Sequence, residues 1–273
     1  MTTPLVNTQW LLEHLHDPDL ILLDATANEN QAQLQLDYTD IEIEGSRFFD
    51  LKNNFSKKDS TMPNMLLHPD DFEKEARALG INNSSKIVIY DRLGIYFSPR
   101  VWWMFSIMGA QQVAVLNGGL PEWIKNDYPT QAKTKNPRFA TGDFTAQFCE
   151  NAVRTKEEIL VNLNTKTEII IDAREANRFE GKVQETRKGL RSGHIPESIN
   201  IPYTIVLNDG KFKTIPELKQ VLPQLNKPTI FSCGSGITAC ITLLAFELIQ
   251  QKNNAVYDGS WTEWGSDGDL PIA

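Results

Sequence analysis

The order of hydrophobic and polar residues along the chain predicts an alternation of helices and short buried strands. Residues 8–15 have the spacing of an amphipathic helix, and the apolar run at 20–24 follows it as a strand. The same succession of a helix and a strand recurs at 155–161 and 168–172. Buried strands that alternate with helices are typical of a mainly parallel sheet with helices on both faces, so we predict an α/β fold.

A longer correspondence indicates that this design occurs twice. A strand-like run at 85–90 leads to a helical pattern at 99–105, and a second run at 228–232 leads to another helical pattern at 239–249. Each pair is followed by a further short apolar run and a tryptophan-containing turn. We therefore predict that the chain consists of two copies of one α/β domain.

The repeat also aligns single residues of the two halves. Asp91 follows the strand of the first copy at the position where Cys233 follows the strand of the second, and Trp123 falls opposite Trp264. Ligands of parallel α/β sheets bind at the carboxyl ends of the strands. Both Asp91 and Cys233 are thus expected at the binding edge of their sheets, but only the second copy has a thiol there.

The repeat sets the expected domain boundaries. We assign residues 1–128 to a first domain and residues 151–273 to a second. The segment 129–150 has neither a helical nor a strand period and contains Pro129 and Pro137, so we predict a linker. A loop wrapped over the surface is the open alternative for this segment.

Composition excludes several classes of partner. The net charge of −8 argues against nucleic acid, and no run has the length and apolarity of a membrane span. The first residues contain no basic segment followed by an apolar core, so no secretory signal is expected. Three cysteines without a CxxC motif suit neither a disulfide framework nor a zinc site. We expect a cytoplasmic protein without metal or cofactor, in which Cys240 is core and Cys149 an ordinary thiol.

The turn that begins at Cys233 carries the clearest chemical signal. A glycine-rich turn between a strand and a helix directs backbone N–H groups and the positive end of the helix dipole towards the group on the cysteine. Such a position favours the thiolate, which is the nucleophilic form. We predict that Cys233 is a catalytic nucleophile. The residues expected to surround its charge are Gly234, Ser235, Gly236, Ile237 and Thr238.

Two details of this turn lead to further expectations. The glycines at 234 and 236 are expected to allow a tight backbone path without Cβ clashes. The hydroxyl groups of Ser235 and Thr238 are suited to hydrogen-bond the reacting groups, although Thr238 is also suited to cap the following helix.

Arginines that follow the strand at 168–172 predict an anion-binding pocket. Their loop lies on the same sheet edge as Cys233, and a guanidinium group can hold a carboxylate through two parallel hydrogen bonds. On the sequence alone we expect Arg174 and Arg191 to be solvated surface charges. This pattern alone does not distinguish Arg178 and Arg187 from surface charges.

The combined motifs resemble one known family. The turn 233–239, Gly193-His-Ile-Pro196 and the first-half pattern Pro99-Arg-Val-Trp-Trp103 are similar to those of tandem-domain rhodaneses. The uncharged Gly-Ser-Gly after Cys233 most resembles the 3-mercaptopyruvate sulfurtransferases, whereas thiosulfate sulfurtransferases typically have an Arg-Lys pair there. The resemblance implies two rhodanese-like domains, of which the first is a catalytically inactive copy with Asp91 in place of a cysteine.

The resemblance also implies a reaction and its partners. Cys233 would take a sulfur atom from 3-mercaptopyruvate as a persulfide, release pyruvate, and pass the sulfur to cyanide or to a thiol such as thioredoxin or a small thiol. Arg178 and Arg187 match the two arginines that bind the donor in this family. Thiosulfate is the alternative donor.

One expected part of the family's site is missing from this sequence. In the family, a serine of the cysteine turn has been proposed to act with a histidine and an aspartate of the first domain. Here Asn64 stands in place of the histidine, and Lys52 in place of the aspartate. The source of the proton for the leaving pyruvate enolate is therefore open, with arginines, water and Ser235 as candidates.

Two other functions share features with this chain. Cysteine phosphatases also place a cysteine before a loop and a helix, but they need an arginine six positions later, where this chain has Ala239. A non-catalytic binding module is plausible for the first half, where Asp91 cannot carry sulfur. The intact turn at Cys233 argues against that function for the whole chain.

Overall fold

The computed structural model describes residues 1, 3–134 and 137–273 and divides into two compact units. Each unit contains one of the two repeats, with a short segment exchanged from the other half of the chain. The first unit consists of Met1–Lys58, Leu66–Cys149 and Asp209–Phe212. The second unit consists of Asp59–Met65, Glu150–Asn208 and Lys213–Ala273.

The first unit is built on a parallel sheet with strand order β1-β6-β5-β2-β4. A small antiparallel pair, β3 with β7, lies beside it. The elements of the first half are β1 (Leu5–Val6), α1 (Thr8–His14), β2 (Leu20–Asp24), β3 (Ile41–Ile43), β4 (Arg47–Phe48), α2 (Pro69–Ala78), β5 (Lys86–Tyr90), α3 (Ser98–Ile107), β6 (Val113–Leu116), α4 (Gly119–Lys125) and β7 (Thr130–Ala132).

The second unit repeats this sheet with the corresponding order β8-β14-β13-β9-β10, again with parallel pairs. The elements of the second half are β8 (Val153–Arg154), α5 (Lys156–Thr165), β9 (Ile169–Asp172), α6 (Ala176–Phe179), β10 (Ile199–Asn200), β11 (Leu207–Asn208), β12 (Lys211–Phe212), α7 (Ile215–Val221), β13 (Thr229–Ser232), α8 (Thr238–Leu248), β14 (Asn254–Tyr257) and α9 (Ser260–Ser266). Short 3₁₀ helices occupy Glu150–Ala152 and Tyr203–Val206. The predicted α/β architecture of two parallel sheets is confirmed.

Local sequence signals explain where the repeated helices begin. The Asn7 side chain accepts a hydrogen bond from the backbone N–H of Trp10 at the start of α1. At the start of α5, Thr155 and Glu158 form a reciprocal capping box. Both caps satisfy N–H groups that the first turn of a helix leaves without a partner.

Each sheet packs against its helices through a separate hydrophobic core. In the first unit Trp123 is fully buried with residues of β2, β5 and β6. In the second unit Trp261 and Trp264 of α9 are fully buried in the same way against β9, β13 and β14. The predicted equivalence of Trp123 and Trp264 is thus visible in the packing. No helix in the described part of the chain combines the length and the apolarity that crossing a bilayer requires.

The segment predicted as a linker is in contact with the first unit along most of its length. It supplies β7, and Phe144 is buried with its backbone N–H bonded to the carbonyl of Ile81. Further on, the N–H of Cys149 donates to the carbonyl of Ile107. The side chain of Cys149 is exposed, as expected, whereas Cys240 is fully buried. Lys135 and Asn136 of the predicted linker lie outside the described residues.

Candidate active site

Cys233 follows the last residue of β13, at the carboxyl end of the central strand of the second sheet. Its backbone N–H donates to Ser260 Oγ at 3.2 Å, and its carbonyl accepts from the N–H of Trp261 at 2.9 Å. Only 2% of the residue is exposed. The cysteine is therefore held between β13 and the start of α9, with little solvent around it.

The two glycines of the turn differ in what they contribute. Gly236 has φ +78°, a left-handed conformation in which glycine is favoured. Gly234 is not in that region, and a Cβ atom there would meet nothing closer than 3.4 Å. The prediction that Gly234 avoids a backbone clash is therefore wrong, and the neighbours of this position are side chains of arginine.

The backbone N–H groups of the turn are suited to bind an anion. In the part of the chain that the structure describes, no acceptor is recorded for the N–H groups of Gly234, Ser235 and Ile237. The turn is stabilised in other ways, since Cys240 Sγ donates to the carbonyl of Gly236 at 3.3 Å. Buried N–H groups normally have partners. A negative charge on Cys233 or on an atom bound to it would supply them.

The start of α8 corrects one expectation for this turn. Thr238 is the first residue of the helix, and Ile237 occupies the cap position without any side-chain hydrogen bond. Thr238 therefore does not cap the helix. Ala239, where a phosphatase would need an arginine, is fully buried.

Arg178 and Arg187 both reach the cysteine turn. Relative to an ideal Cβ at Gly234, Arg178 Nη2 lies at 3.4 Å and Arg187 Nη1 at 3.7 Å. Arg187 donates through Nη1 to Thr262 Oγ1 at 3.2 Å, and Thr262 Oγ1 donates to the carbonyl of Gly234 at 2.5 Å. The structure therefore brings the two predicted arginines together beside the residue that follows Cys233.

Glu185 connects Arg178 to a buried ion pair. Its Oε1 accepts from Arg174 Nη1 at 2.8 Å and its Oε2 accepts from Arg178 Nη2. Arg174 in turn donates to Asp172 Oδ2 at the end of β9, with Nη2 at 2.6 Å. Nε of Arg178 is buried and has no hydrogen-bond partner among the described residues. Arg178 is thus oriented from one side and retains a donor for an anion.

The expectation that Arg174 and Arg191 are solvated surface charges is wrong. Arg174 is 1% exposed, pairs with Asp172, and lies with its guanidinium carbon 4.3 Å from the ring centre of Trp261. Arg191 donates to backbone carbonyls of α9 and of the residues that follow it, among them Leu270 O at 2.9 Å. Both arginines are structural, because Arg174 bonds buried acceptors and the half-buried Arg191 bonds several backbone carbonyls that the sequence pattern does not show.

Ser235 is fixed by two donors. Asn64 Nδ2 donates to Ser235 Oγ at 3.0 Å and to the carbonyl of Ser235 at 3.1 Å. Arg187 Nη2 donates to the same Oγ at 3.1 Å. Asn64 is 5% exposed and belongs to the exchanged segment Asp59–Met65. Asn64 thus contacts the serine, but it does so with an amide that cannot exchange a proton as a histidine would.

Sequence reasoning missed three groups that complete the site. Ser260 and Thr262 follow β14, whose carboxyl end lies at the same sheet edge as that of β13, so their position in the repeat was a usable signal. Glu185 lies in an irregular segment between α6 and β10. Since no period places such residues, nothing in the local pattern distinguished Glu185 from the other acids of the segment.

Comparison with known proteins identifies one known domain in both halves of the chain. A model of the rhodanese-like domain matches residues 7–126 and again residues 155–267. The 3-mercaptopyruvate sulfurtransferase of Escherichia coli K12 is 36% identical over 278 residues, which cover 99% of this chain and 98% of the relative. The thiosulfate sulfurtransferase of Rattus norvegicus is 35% identical over 275 residues, which cover 95% of this chain and 91% of that protein.

Solved structures extend the similarity to three dimensions. The crystal structure of SseA from Escherichia coli matches with a TM-score of 0.83 at 36% identity and covers 95% of this chain and 99% of its own. Tum1 of Saccharomyces cerevisiae matches with a TM-score of 0.87 at 29% identity and covers 99% of this chain and 98% of its own. These similarities confirm the predicted resemblance, and the chain belongs to the rhodanese family as a tandem-domain member similar to the 3-mercaptopyruvate sulfurtransferases.

Proposed function

We propose that this protein is a sulfurtransferase that moves sulfur from 3-mercaptopyruvate through a persulfide on Cys233 to a thiol or cyanide. The observation that carries the proposal is the position of Arg178 and Arg187, whose guanidinium groups lie within 4 Å of the Cβ position of Gly234. A buried thiol that adjoins two arginines suits a donor that has both a transferable sulfur and a carboxylate.

The first half of the reaction transfers one sulfur atom. The Cys233 thiolate attacks the thiol sulfur of 3-mercaptopyruvate, an S–S bond forms, and the C–S bond of the donor breaks. The electron pair of that bond goes to the carbon, and the resulting pyruvate enolate takes up a proton equivalent to the one lost by the donor thiol. The products are the Cys233 persulfide anion and pyruvate.

The turn supplies what the persulfide needs. The outer sulfur carries the negative charge, and the N–H groups of Gly234, Ser235 and Ile237 have no acceptor recorded within the described residues. We propose that the turn Cys233–Thr238 binds that sulfur through these groups. Gly236 in this turn has the left-handed conformation that glycine permits.

The arginines have distinct roles in this proposal. Arg178 binds the carboxylate of the sulfur donor. Its buried Nε–H has no hydrogen-bond partner among the described residues and is available for this contact. Arg187 lies between Thr262 and Ser235 and is placed to polarise the donor carbonyl as the enolate forms. Charge that develops on the enolate oxygen is thereby stabilised in a site with little water.

Ser235 is proposed as a hydrogen-bond donor to the leaving enolate. A hydroxyl has one proton and two lone pairs, and both lone pairs of Ser235 Oγ are taken up by Asn64 Nδ2 and Arg187 Nη2. Its own proton is then left to donate. This arrangement needs no histidine, so the proposed role of Ser235 is to stabilise charge rather than to relay a proton through the first domain.

We propose that residues 1–128 form a domain without sulfurtransferase activity and that residues 151–273 carry the reaction. Asp91 occupies the position of the cysteine in the first copy, and a carboxylate cannot form a persulfide. Thiosulfate is a second candidate donor, supported by the 35% identity to a thiosulfate sulfurtransferase. Because the turn 233–238 contains no cationic side chain, we expect the dianionic thiosulfate to react more slowly.

The acceptor half reaction restores the enzyme. A thiol or cyanide attacks the outer sulfur of the persulfide, the S–S bond breaks, and the electron pair returns to the Cys233 thiolate. Thiocyanate forms from cyanide, and a new persulfide forms from a thiol. We propose a protein thiol such as thioredoxin, or a small thiol, as the natural acceptor.

Mass spectrometry tests this proposal directly. The protein is incubated with 3-mercaptopyruvate or with thiosulfate, and the peptide that contains Cys233 is weighed. We expect one additional sulfur atom on Cys233, formed faster from 3-mercaptopyruvate, together with release of pyruvate. Cys233→Ser should abolish both signals, whereas the matched control Cys149→Ser changes an exposed thiol and should retain them. Persulfide formation on another cysteine, or faster reaction with thiosulfate, would contradict the assignment.

A further inference from the structure

Glu185 is a buried carboxylate that bridges two arginines, one in the interior and one beside the cysteine turn. Its side chain is 1% exposed, one of its oxygens is bonded to Arg174, and the other is bonded to Arg178. Arg174 already has Asp172 as an ionic partner and the carbonyl of Gly193 as a further acceptor. The internal pair is therefore complete without the second oxygen of Glu185, which is directed to the arginine beside the cysteine turn.

The position of Arg178 puts this charge close to the donor. Arg178 Nη2 is the atom that Glu185 contacts, and the same atom lies 3.4 Å from the Cβ position of Gly234. Any anion that binds Arg178 beside Cys233 is thus separated from the Glu185 carboxylate by a single guanidinium group. The donor and Glu185 share one cation.

We propose that Glu185 sets the charge of the donor that the site accepts, favouring a donor with one negative charge over a donor with two. This inference rests on the proposed function, because it concerns the choice between 3-mercaptopyruvate and thiosulfate at Cys233. Glu185 is then a specificity-determining residue that acts through Arg178 and the local field, without taking part in the chemical step.

The physical reason is that repulsion by a fixed charge grows in proportion to the charge of the donor. Glu185 is shielded from solvent, so neither water nor salt screens its field as it would at the surface. Glu175, a further carboxylate close to Tyr203, is exposed, so solvent screens its field. The Tyr203 hydroxyl is neutral, because burial and the nearby Glu175 raise its pKa while the Arg178 charge opposes them. The turn 233–238 itself has no ionisable side chain besides Cys233.

A positioning role alone makes a different prediction. If Glu185 only holds the Arg178 side chain in place, its loss weakens binding of every anionic donor by a similar factor. If its charge selects the donor, its loss favours thiosulfate relative to 3-mercaptopyruvate. The ratio of kcat/KM for the two donors separates these roles, because effects common to both donors cancel in the ratio.

The test compares Glu185→Gln with the wild-type protein. Glutamine retains the length and one oxygen acceptor but removes the charge. We expect the ratio of kcat/KM for thiosulfate to that for 3-mercaptopyruvate to rise at least about tenfold, the order expected for removing one shielded charge near the donor. The matched control is Glu180→Gln, because Glu180 lies in the same segment with its side chain 45% exposed and paired with Lys182. This control should leave the ratio unchanged.

A second pair of variants guards against loss of folding. Glu185→Met fills a similar volume without charge and should raise the ratio as Glu185→Gln does, whereas Glu185→Asp retains the charge and should leave it near the wild-type value. An unchanged ratio in either uncharged variant that folds, judged by circular dichroism, overturns the proposal. Failure of the wild-type protein to take sulfur from 3-mercaptopyruvate would instead overturn the proposed function.

Discussion

The turns that begin at Asp91 and Cys233 occupy the same place in the two sheets but differ in length and in the group that fills them. Asp91 follows β5 as Cys233 follows β13, and each is followed three positions later by a left-handed glycine, with φ +89° at Gly94 and +78° at Gly236. In the first turn the carboxylate is itself the anion. Asp91 Oδ2 accepts from the N–H groups of residues 96, 97 and 98 at 2.8 to 3.0 Å.

The residue at the start of the turn decides whether it is structural or reactive. Asp91 is fully buried, and Ser98 Oγ donates a further hydrogen bond to it at 2.7 Å. Its N–H donors are therefore permanently occupied. In the second turn the Cys233 thiol replaces the carboxylate. The N–H groups of that turn remain available to bind a negative charge that forms only during the reaction. With Cys233 in place of the carboxylate, the second turn has room for a negative charge that forms only transiently.

Removing the built-in anion should produce the largest effect on folding. Asp91→Asn replaces a carboxylate oxygen by an NH₂ group that faces N–H donors, so we expect a loss of about 3 kcal/mol in the free energy of unfolding. Urea unfolding followed by circular dichroism measures it. Asp37→Asn, at an exposed position, should change stability little. A loss below about 1 kcal/mol for Asp91→Asn would show that the turn does not depend on its anion.

The left-handed glycines of the two turns, Gly94 and Gly236, allow a second test of the comparison. Alanine at a left-handed position costs roughly 1–2 kcal/mol, so both Gly94→Ala and Gly236→Ala should destabilise the protein. Gly94→Ala should be worse, because its Cβ would approach the carbonyl oxygen of Gly210 to 2.6 Å. Gly236→Ala should also slow persulfide formation. Gly268→Ala is the control, since a Cβ there meets nothing within 4 Å. Equal stability of Gly94→Ala, Gly236→Ala and Gly268→Ala would show that neither turn depends on a left-handed glycine.

The smallest expected effect concerns the hydroxyl groups of the two turns. Ser98 is oriented by Asp91, whereas Ser235 depends on Asn64 and Arg187. Asn64→Gly tolerates the φ of +62° and removes the amide, so we expect sulfur transfer to slow by about fivefold to tenfold, as loss of the hydrogen bond to the reacting Ser235 Oγ implies.

A double-mutant cycle checks that this effect passes through Ser235. The combined variant Asn64→Gly with Ser235→Ala should be no slower than Ser235→Ala alone, because the two residues act as a unit. Asn253→Gly is the matched control, since Asn253 is exposed and has a similar φ of +65°. Additive losses would show that Asn64 acts elsewhere.

Several site residues could be placed from the sequence because their signals are local. Cys233 and Gly236 belong to one continuous turn, and the repeat identifies the strand before it. Arg178 and Arg187 came from the family resemblance, since arginines in an irregular loop carry no period of their own. The same lack of a period explains why Arg174 was mistaken for a surface charge. Its burial depends on Asp172 and Glu185, which contact it only once the loop has folded.

By itself, the sequence determined the two parallel sheets, the equivalence of Asp91 and Cys233, and the type of chemistry at the turn. These features depend on residues close together in the chain and on a repeated pattern. Only the tertiary structure decided which side chains meet at the turn. Asn64 reaches Ser235 across 171 positions, and Arg187 reaches it across 48. Contacts over such separations follow from how elements pack, and no local preference of the backbone encodes them.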